Sequence, residues 1–108
     1  MNKNELLGKW NISEMEMWDN DYINAETSGY IFFDKNNNGE FHFGYVHGFM
    51  DCQYIENHGN TIVEFTWNGN DEMEYANGRG FAKINEDGIL GKIFIHNGDN
   101  SEFKAIKT

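Results

Sequence analysis

Short segments rich in Asn, Gly and Asp interrupt this chain at nearly even intervals, and their spacing limits the fold more than any other feature. The breaks lie at residues 34–39, 57–60, 68–71, 77–78, 85–88 and 97–100. Their residues tolerate the positive φ that tight hairpins need. The segments between them are rich in aromatic and β-branched residues, which is typical of strands. This pattern predicts an antiparallel up-and-down meander.

Length and aromatic content indicate how such a meander is completed. The chain has 108 residues, and 16% of them are Phe, Tyr or Trp, so a few large side chains can fill a small core. Closure into a barrel removes the exposed edges of an open sheet. A barrel of about eight strands has an interior that side chains just fill, or that holds one small ligand. We therefore predict a single all-β domain over residues 1–108, with about eight strands in a closed barrel.

The sequence also predicts local departures from regular strands. Residues 9–18 alternate without a cleanly apolar face, which indicates a β-bulge partway along the first strand. Residues 19–28 form the longest polar interruption and are expected to be a loop with room for one short helical turn. Another helical turn over residues 5–7, capped by Asn2 or Asn4, is expected before the first strand. Residues 40–46 are expected to form one strand with Phe41, Phe43 and Tyr45 on the same face.

The charge balance argues against some partners. The net charge is −10, with one arginine, Arg79, and seven lysines. Nucleic acids and anionic membranes are bound by clustered cations, so neither is an expected partner. A basic protein surface is compatible with this charge. The single Cys52 excludes an internal disulfide, and the sequence starts without an apolar signal segment, so a cytoplasmic location is expected.

Gly8-Lys9-Trp10, at the start of the first strand, resembles the Gly-x-Trp signature of lipocalin-like (calycin) barrels. The resemblance implies a small lipocalin-like barrel in which Trp10 plugs the closed end. It also implies that a cation from the last strand lies over the indole ring, and Lys104 is the expected cation. The chain is short for such a barrel, so a small cavity is expected.

A second resemblance covers most of the chain. It is to a family of small uncharacterised bacterial proteins and implies a bacterial origin without implying an activity. The segments that carry it are EMEMWDNDY at 14–22, FGYV at 43–46, EFTW at 64–67, GRG at 78–80 and IFIHNGDNS at 93–101.

Acidic residues flanked by aromatic residues are concentrated in the loop after the first strand. Its carboxylates are Glu14, Glu16, Asp19 and Asp21, and its rings are Trp18 and Tyr22. Aromatic side chains beside charges suit a protein interface, and at a barrel mouth they also suit a cation or a polar ligand. The plain alternative is a solvated loop with Trp18 folded back on the core.

The other polar groups lack the spacing of a catalytic or metal-binding motif. Arg79 is expected either to clamp an anionic ligand or, by preference, to form a structural ion pair. Residues 34–39 resemble half of a calcium loop but favour a plain hairpin turn. Cys52 is expected in the core, and His42 and His96 are expected to be ordinary strand or turn residues that could approach across the sheet. We predict no cofactor, no metal and no enzymatic activity.

Two functions are compatible with this sequence. The first is binding of a small, partly apolar ligand at the barrel mouth, with Arg79 or His96 as the polar group. The expected lining is Trp18, Tyr22, Phe43, Tyr45 and Trp67. The alternative is an acidic protein-interaction module, such as a bacterial inhibitor, an immunity protein or a phage-encoded protein, that covers a basic surface.

Overall fold

A computed structural model, which describes residues 3–108, shows eight antiparallel strands closed into one barrel. Each strand pairs with the next one in the chain, and β8 pairs with β1. The strands are β1 Gly8–Met15, β2 Tyr30–Phe33, β3 Asn38–Phe43, β4 Val46–Asn57, β5 Asn60–Asp71, β6 Glu74–Asn85, β7 Gly88–Ile95 and β8 Asn100–Lys107. Two short helices, α1 Lys3–Leu6 and α2 Asn20–Ile23, precede β1 and β2. The predicted all-β, up-and-down barrel is confirmed.

Alternate residues of each strand point inward and fill the interior with large side chains. Phe41 stacks on Phe43 with ring centroids 5.8 Å apart, and its edge meets Trp67 at 5.0 Å. The rings of Phe33 and Phe65 pack in a tilted arrangement with centroids 6.4 Å apart. The period-two pattern of the sequence thus builds a core of aromatic rings.

The predicted bulge in β1 is present. Ile12 pairs with Ala105, but the next pair is Glu14 with Lys104, so one extra residue of β1 lies between the two pairs. The shift lets Met15 point into the core and leaves Glu14 exposed. A bulge reverses the inward and outward positions that follow it, which explains why neither face of this segment is uniformly apolar.

Helix α1 closes the end of the barrel where β1 begins. The Trp10 Nε1–H donates to the Leu6 carbonyl oxygen at 3.0 Å. The cation over the indole ring is Lys107, whose Nζ lies 4.4 Å from the ring centroid, so the expectation of Lys104 is wrong. Lys107 pairs with Trp10 in the β1–β8 register, whereas Lys104 lies past the bulge opposite Glu14 and is exposed. A helical turn is observed before β1, but it spans Lys3–Leu6 and not residues 5–7, so Asn4 lies inside the helix and does not cap it. The other expected cap, Asn2, lies outside the described residues.

Two expected turns, at residues 68–71 and 77–78, are wrong because these residues lie inside β5 and β6. Their glycines serve close packing of neighbouring backbones. A Cβ on Gly69 would lie 1.9 Å from the His47 carbonyl oxygen, and one on Gly78 would lie 1.8 Å from the Phe94 carbonyl oxygen. The turn between β5 and β6 falls at residues 72–73, where Glu72 has a φ of 57°.

The expected strand over residues 40–46 is also divided. β3 ends at Phe43, and Gly44, with a φ of 56°, turns the chain into β4 at Val46. Val46 therefore points inward, while Tyr45 lies exposed at the tip of the turn and not on the face of Phe41 and Phe43.

Within residues 3–108, the helices are too short and too polar to cross a membrane.

Candidate functional site

Four connections meet at one end of the barrel, which we call the acidic end: residues 16–29, 44–45, 71–75 and 96–99. Two backbone hydrogen bonds join three of them, from Glu72 N–H to the Tyr45 carbonyl at 2.8 Å and from Gly44 N–H to the Ile23 carbonyl at 2.9 Å. None of these segments contains Lys or Arg. Their carboxylates are Glu16, Asp19, Asp21, Glu26, Asp71, Glu72, Glu74 and Asp99.

The loop after β1 is held in place by hydrogen bonds. Asp19 caps α2, as its Oδ1 accepts from Tyr22 N–H at 3.0 Å. The Met17 N–H donates to Ser101 Oγ at 3.2 Å, and Glu16 N–H donates to the Glu102 carbonyl at 2.9 Å. The predicted loop with one helical turn is therefore confirmed, and its carboxylates are displayed from an anchored segment.

Four of the residues expected to bind a ligand lie together at this end. Trp18 stacks on Tyr22 at 5.8 Å and contacts Phe43 at 5.0 Å. Tyr22 meets Tyr45 edge-on at 5.9 Å, and its ring lies directly on Gly44, where a Cβ would come within 2.2 Å. Burial raises the pKa of Tyr22, and the nearby carboxylates at positions 71 and 72 raise it further. Aromatic rings and carboxylates thus share one surface.

Of the other three expected residues, Trp67 and Arg79 lie within strands, and His96 lies in another connection of the acidic end. Trp67 is buried deeper, against Phe41, and its Nε1–H donates to the Phe94 carbonyl at 3.3 Å. Arg79 is on the outer wall, with its Cζ 4.0 Å from the Phe94 ring centroid, and it makes no salt bridge within residues 3–108. His96 is exposed at the start of the β7–β8 turn. Arg79 therefore does not face the aromatic cluster, because alternate residues of a strand point to opposite sides.

The most exposed apolar side chains of the acidic end were not expected from the sequence. Met73 is 98% exposed and Tyr75 is 74% exposed, and Met17 and Tyr45 are exposed nearby. Large apolar side chains this accessible on a folded surface commonly mark an interaction site when they are grouped. The sequence predicted a turn at residues 68–71. A prediction of continuous strand there would have placed Met73 and Tyr75 at a hairpin tip, where the structure has them.

A groove of about 790 Å³ separates the β5–β6 hairpin from the β7–β8 turn. It exists because β6 pairs with β5 from Glu74 onward but with β7 only from Gly78 onward. The hairpin therefore extends past the end of β7. This tip groove is lined by residues 71–77 and 95–98.

A second polar cluster lies on the outer wall, on β2, β3 and β4. His42 and His47 are opposite each other in the register, with rings stacked at 4.9 Å. His47 Nε2 lies 2.8 Å from Glu40 Oε2, and His42 Nε2 lies 3.1 Å from Glu26 Oε1. The Tyr30 hydroxyl donates to Glu40 at 2.9 Å. His42 thus contacts a histidine of the adjacent strand and not His96.

The hydrogen bond from His47 lowers the pKa of Glu40, and the hydroxyl of Tyr30 acts in the same direction. Because the folded-state pKa lies below the ordinary value of 4.5, the ionised carboxylate stabilises the fold above that pH, and this stabilisation is lost as the pH falls through the lowered pKa. We expect Glu40→Gln to lower the melting temperature at pH 7, with a difference from wild type that shrinks progressively below pH 4.5. Thermal melts from pH 7 to pH 3 measure it, with Glu86→Gln, in the exposed β6–β7 turn, as the control. A difference that stays constant over this range would contradict the coupling.

The remaining polar motifs have structural roles. Asp34 Oδ1 accepts from Asn36 N–H at 2.8 Å and Asn38 N–H at 3.1 Å, so its carboxylate organises the expected hairpin turn. No group of three or more His, Cys, Asp and Glu within residues 3–108 is arranged to hold a metal ion. Cys52 is buried, as expected, and burial together with nearby carboxylates raises its pKa to about 12, so its thiol is poorly nucleophilic.

Comparison with known proteins gives no relative: no family model, no curated protein and no solved structure matches this chain. The eight-stranded barrel is compatible with a lipocalin-like barrel.

Proposed function

We propose that this protein is an interaction module whose acidic end binds a basic surface on another protein. The observation that carries the proposal is the combination of exposed Met73, Tyr75 and Tyr45 with surrounding carboxylates at one end of the barrel. Binding energy at interfaces is concentrated in a few apolar or aromatic anchors surrounded by polar groups. The carboxylates would steer a basic partner and select against acidic ones.

The distribution of charge supports the same end of the molecule. All lysines and the single arginine lie outside the four segments of the acidic end, on the walls or at the other end. Lys107 and Lys3, for example, are at the α1 end, where Lys3 Nζ donates to Asn37 Oδ1 at 2.6 Å. A basic partner therefore meets its strongest attraction at the acidic end.

Binding of a small, partly apolar ligand stays a second proposal. The half-buried rings of Trp18 and Tyr22 next to Tyr45 favour a shallow site at the surface of the acidic end. Phe43 and Trp67 are buried against Phe41, so a ligand would contact the outer rings and not these two. A thermal-shift screen against metabolites and lipids tests it, and the absence of any stabilising compound would count against it.

We further propose a lipocalin-like ancestry and a bacterial, cytoplasmic setting. The ancestry is supported by Trp10 at the closed end beneath a cation of the last strand, here Lys107. The cytoplasmic part of this setting is supported by the single, buried Cys52, which has no disulfide partner in the chain, and the bacterial part by the resemblance described above.

A charge-reversal experiment tests the interaction. Glu72→Lys with Glu74→Lys changes the net charge by +4, from −10 to −6, at the acidic end. Glu86→Lys with Asp87→Lys makes the same change in the β6–β7 turn at the opposite end and is the matched control. We expect wild type and the control to recover one stoichiometric basic protein from lysate of the native host, and the Glu72/Glu74 variant to recover at least about tenfold less.

Salt dependence completes this test. Association is expected to slow steeply between about 50 and 500 mM salt, because exposed charges are screened over a few ångströms at high ionic strength. Equal recovery by both charge-reversal variants would show that the acidic end is not the interface. Recovery of an acidic partner would contradict the proposed electrostatics.

A further inference from the structure

The tip groove contains backbone groups that the barrel does not use. His96 N–H donates to the Asn77 backbone carbonyl at 2.7 Å, so the backbone C=O and N–H of Asn77 point toward β7. On the other side of the hairpin, Glu72 N–H donates to the Tyr45 carbonyl of the adjoining turn. Residues of an antiparallel strand direct their N–H and C=O alternately to one neighbour and then the other. Tyr75, two residues before Asn77, therefore directs both groups toward the β7 side.

Tyr75 has no strand on that side. β7 ends at Ile95, and the following turn closes on itself through bonds from Gly98 N–H to the Ile95 carbonyl and from Ile95 N–H to the Asp99 carbonyl. Within residues 3–108, no hydrogen-bond partner of the Tyr75 N–H or C=O lies across the groove. A short free edge of β6 thus lines the tip groove.

The chemistry of the groove selects its occupant. Its acidic groups are Asp71, Glu72 and Glu74, and it contains no lysine or arginine. Its apolar lining comes from Met73, Tyr75 and Ile95. A free strand edge binds an extended chain through main-chain hydrogen bonds. The side chains that line the groove contact alternate side chains of that chain and give the binding its specificity. Charge complementarity makes that chain basic.

We propose that an extended, lysine- or arginine-bearing segment of a protein partner lies in the tip groove and hydrogen bonds to the backbone of Tyr75 as an added strand. This inference rests on the proposed function and specifies how the partner is recognised. Two main-chain hydrogen bonds hold the segment against β6, and its alternate basic side chains face the carboxylates of the hairpin tip.

Peptides of defined sequence test the inference. The probe is an acetylated, amidated hexapeptide of alternating lysine and valine, titrated into ¹⁵N-labelled protein at low salt. We expect amide shifts at Tyr75, Asn77 and His96, and slower hydrogen exchange of the Tyr75 amide. The corresponding hexapeptide of glutamate and valine is the control and should cause no shifts at these amides. The absence of shifts with the basic peptide would overturn the inference.

Backbone methylation separates strand addition from charge attraction. Two N-methylated isomers of the basic peptide carry methyl groups on alternate residues, so that each blocks one edge and keeps the charge. One isomer should bind at least about tenfold more weakly than the parent, and the other should bind like the parent. If both bind like the parent, strand addition is wrong while the proposed electrostatic interface, tested separately with the Glu72/Glu74 variant, stands.

Substitutions at Tyr75 in the protein also separate the backbone contact from the contribution of the side chain. Tyr75→Pro removes the N–H that points into the groove without removing a bond to β5, and proline is tolerated at such edge positions. Tyr75→Ala removes the ring and keeps the N–H. We expect the proline variant to lose the protected amide and about tenfold more affinity for the peptide than the alanine variant loses. Equal losses in variants with equal melting temperatures would assign the effect to the ring and overturn the backbone contact.

Discussion

Replacing Trp10 by alanine is expected to lower the free energy of unfolding by about 3–5 kcal/mol, the usual cost of emptying a buried aromatic site. Trp10 is only 5% exposed and closes the α1 end of the barrel. Its loss also leaves the Leu6 carbonyl without the indole N–H that it accepts, and removes the ring beneath Lys107. A domain of this size has a total stability of about 5–15 kcal/mol, so the variant should be largely destabilised.

Urea unfolding monitored by circular dichroism measures the effect, with Trp10→Phe as a milder variant if the alanine variant does not fold. The identity of the cation is tested in the same series. Lys107→Ala should cost about 0.5–1 kcal/mol, as expected for a cation over an aromatic ring at an exposed site. Lys104→Ala, on the same strand and exposed, should leave stability nearly unchanged. A larger loss from Lys104→Ala than from Lys107→Ala would contradict the observed contact.

The fold could be predicted because two local signals agree along most of the chain. Alternating apolar residues define inward faces, and residues that tolerate positive φ lie between most strands. The sequence was ambiguous at glycine. Glycine is favoured both in turns and where two strand backbones approach closely. Gly69 and Gly78 are glycines of the second kind. The atoms that require them to be glycine belong to His47 and Phe94, which are distant in sequence, so local patterns could not distinguish the two cases.

The cation over Trp10 shows a related limit. Its identity depends on the register between the first and last strands, and the bulge after Ile12 determines that register. A bulge is visible in sequence as a blurred alternation, but its position is not. Lys104 and Lys107 lie on opposite faces of β8, and the pairing of Trp10 with Lys107 shows which of them lies over the indole ring.

The candidate site was predicted in part for the same reasons. Trp18, Tyr22, Phe43 and Tyr45 meet because connections at one end of an up-and-down barrel are neighbours. Arg79 was expected with them, but it lies on the outer wall, because its neighbour Gly80 occupies the inward position. The exposed pair at positions 73 and 75 was not predicted, because the turn predicted at residues 68–71 ends the strand before the hairpin that carries these residues.

Replacing Gly78 by alanine is the second change with a large expected effect, a loss of about 3 kcal/mol or more in the free energy of unfolding. The added Cβ would lie 1.8 Å from the Phe94 carbonyl oxygen and 2.9 Å from Trp67 Nε1. Both neighbours are held, because the Trp67 N–H donates to that same carbonyl. The β6 and β7 backbones must therefore separate at the point where their pairing begins.

Gly98→Ala is the matched control, since Gly98 lies in the exposed β7–β8 turn and the nearest atom to an added Cβ there is Ile95 Cγ2 at 3.0 Å. It should cost less than about 1 kcal/mol in urea unfolding, because a flexible side chain can shift. Separation of β6 from β7 at Gly78 also breaks the adjacent bond from His96 to Asn77, which forms the floor of the tip groove. Any folded Gly78→Ala protein should therefore bind the basic peptide more weakly than the Gly98→Ala protein. Equal stability of the two variants would mean that the strands do not approach this closely. Equal peptide binding would mean that binding in the tip groove does not depend on the pairing of β6 with β7.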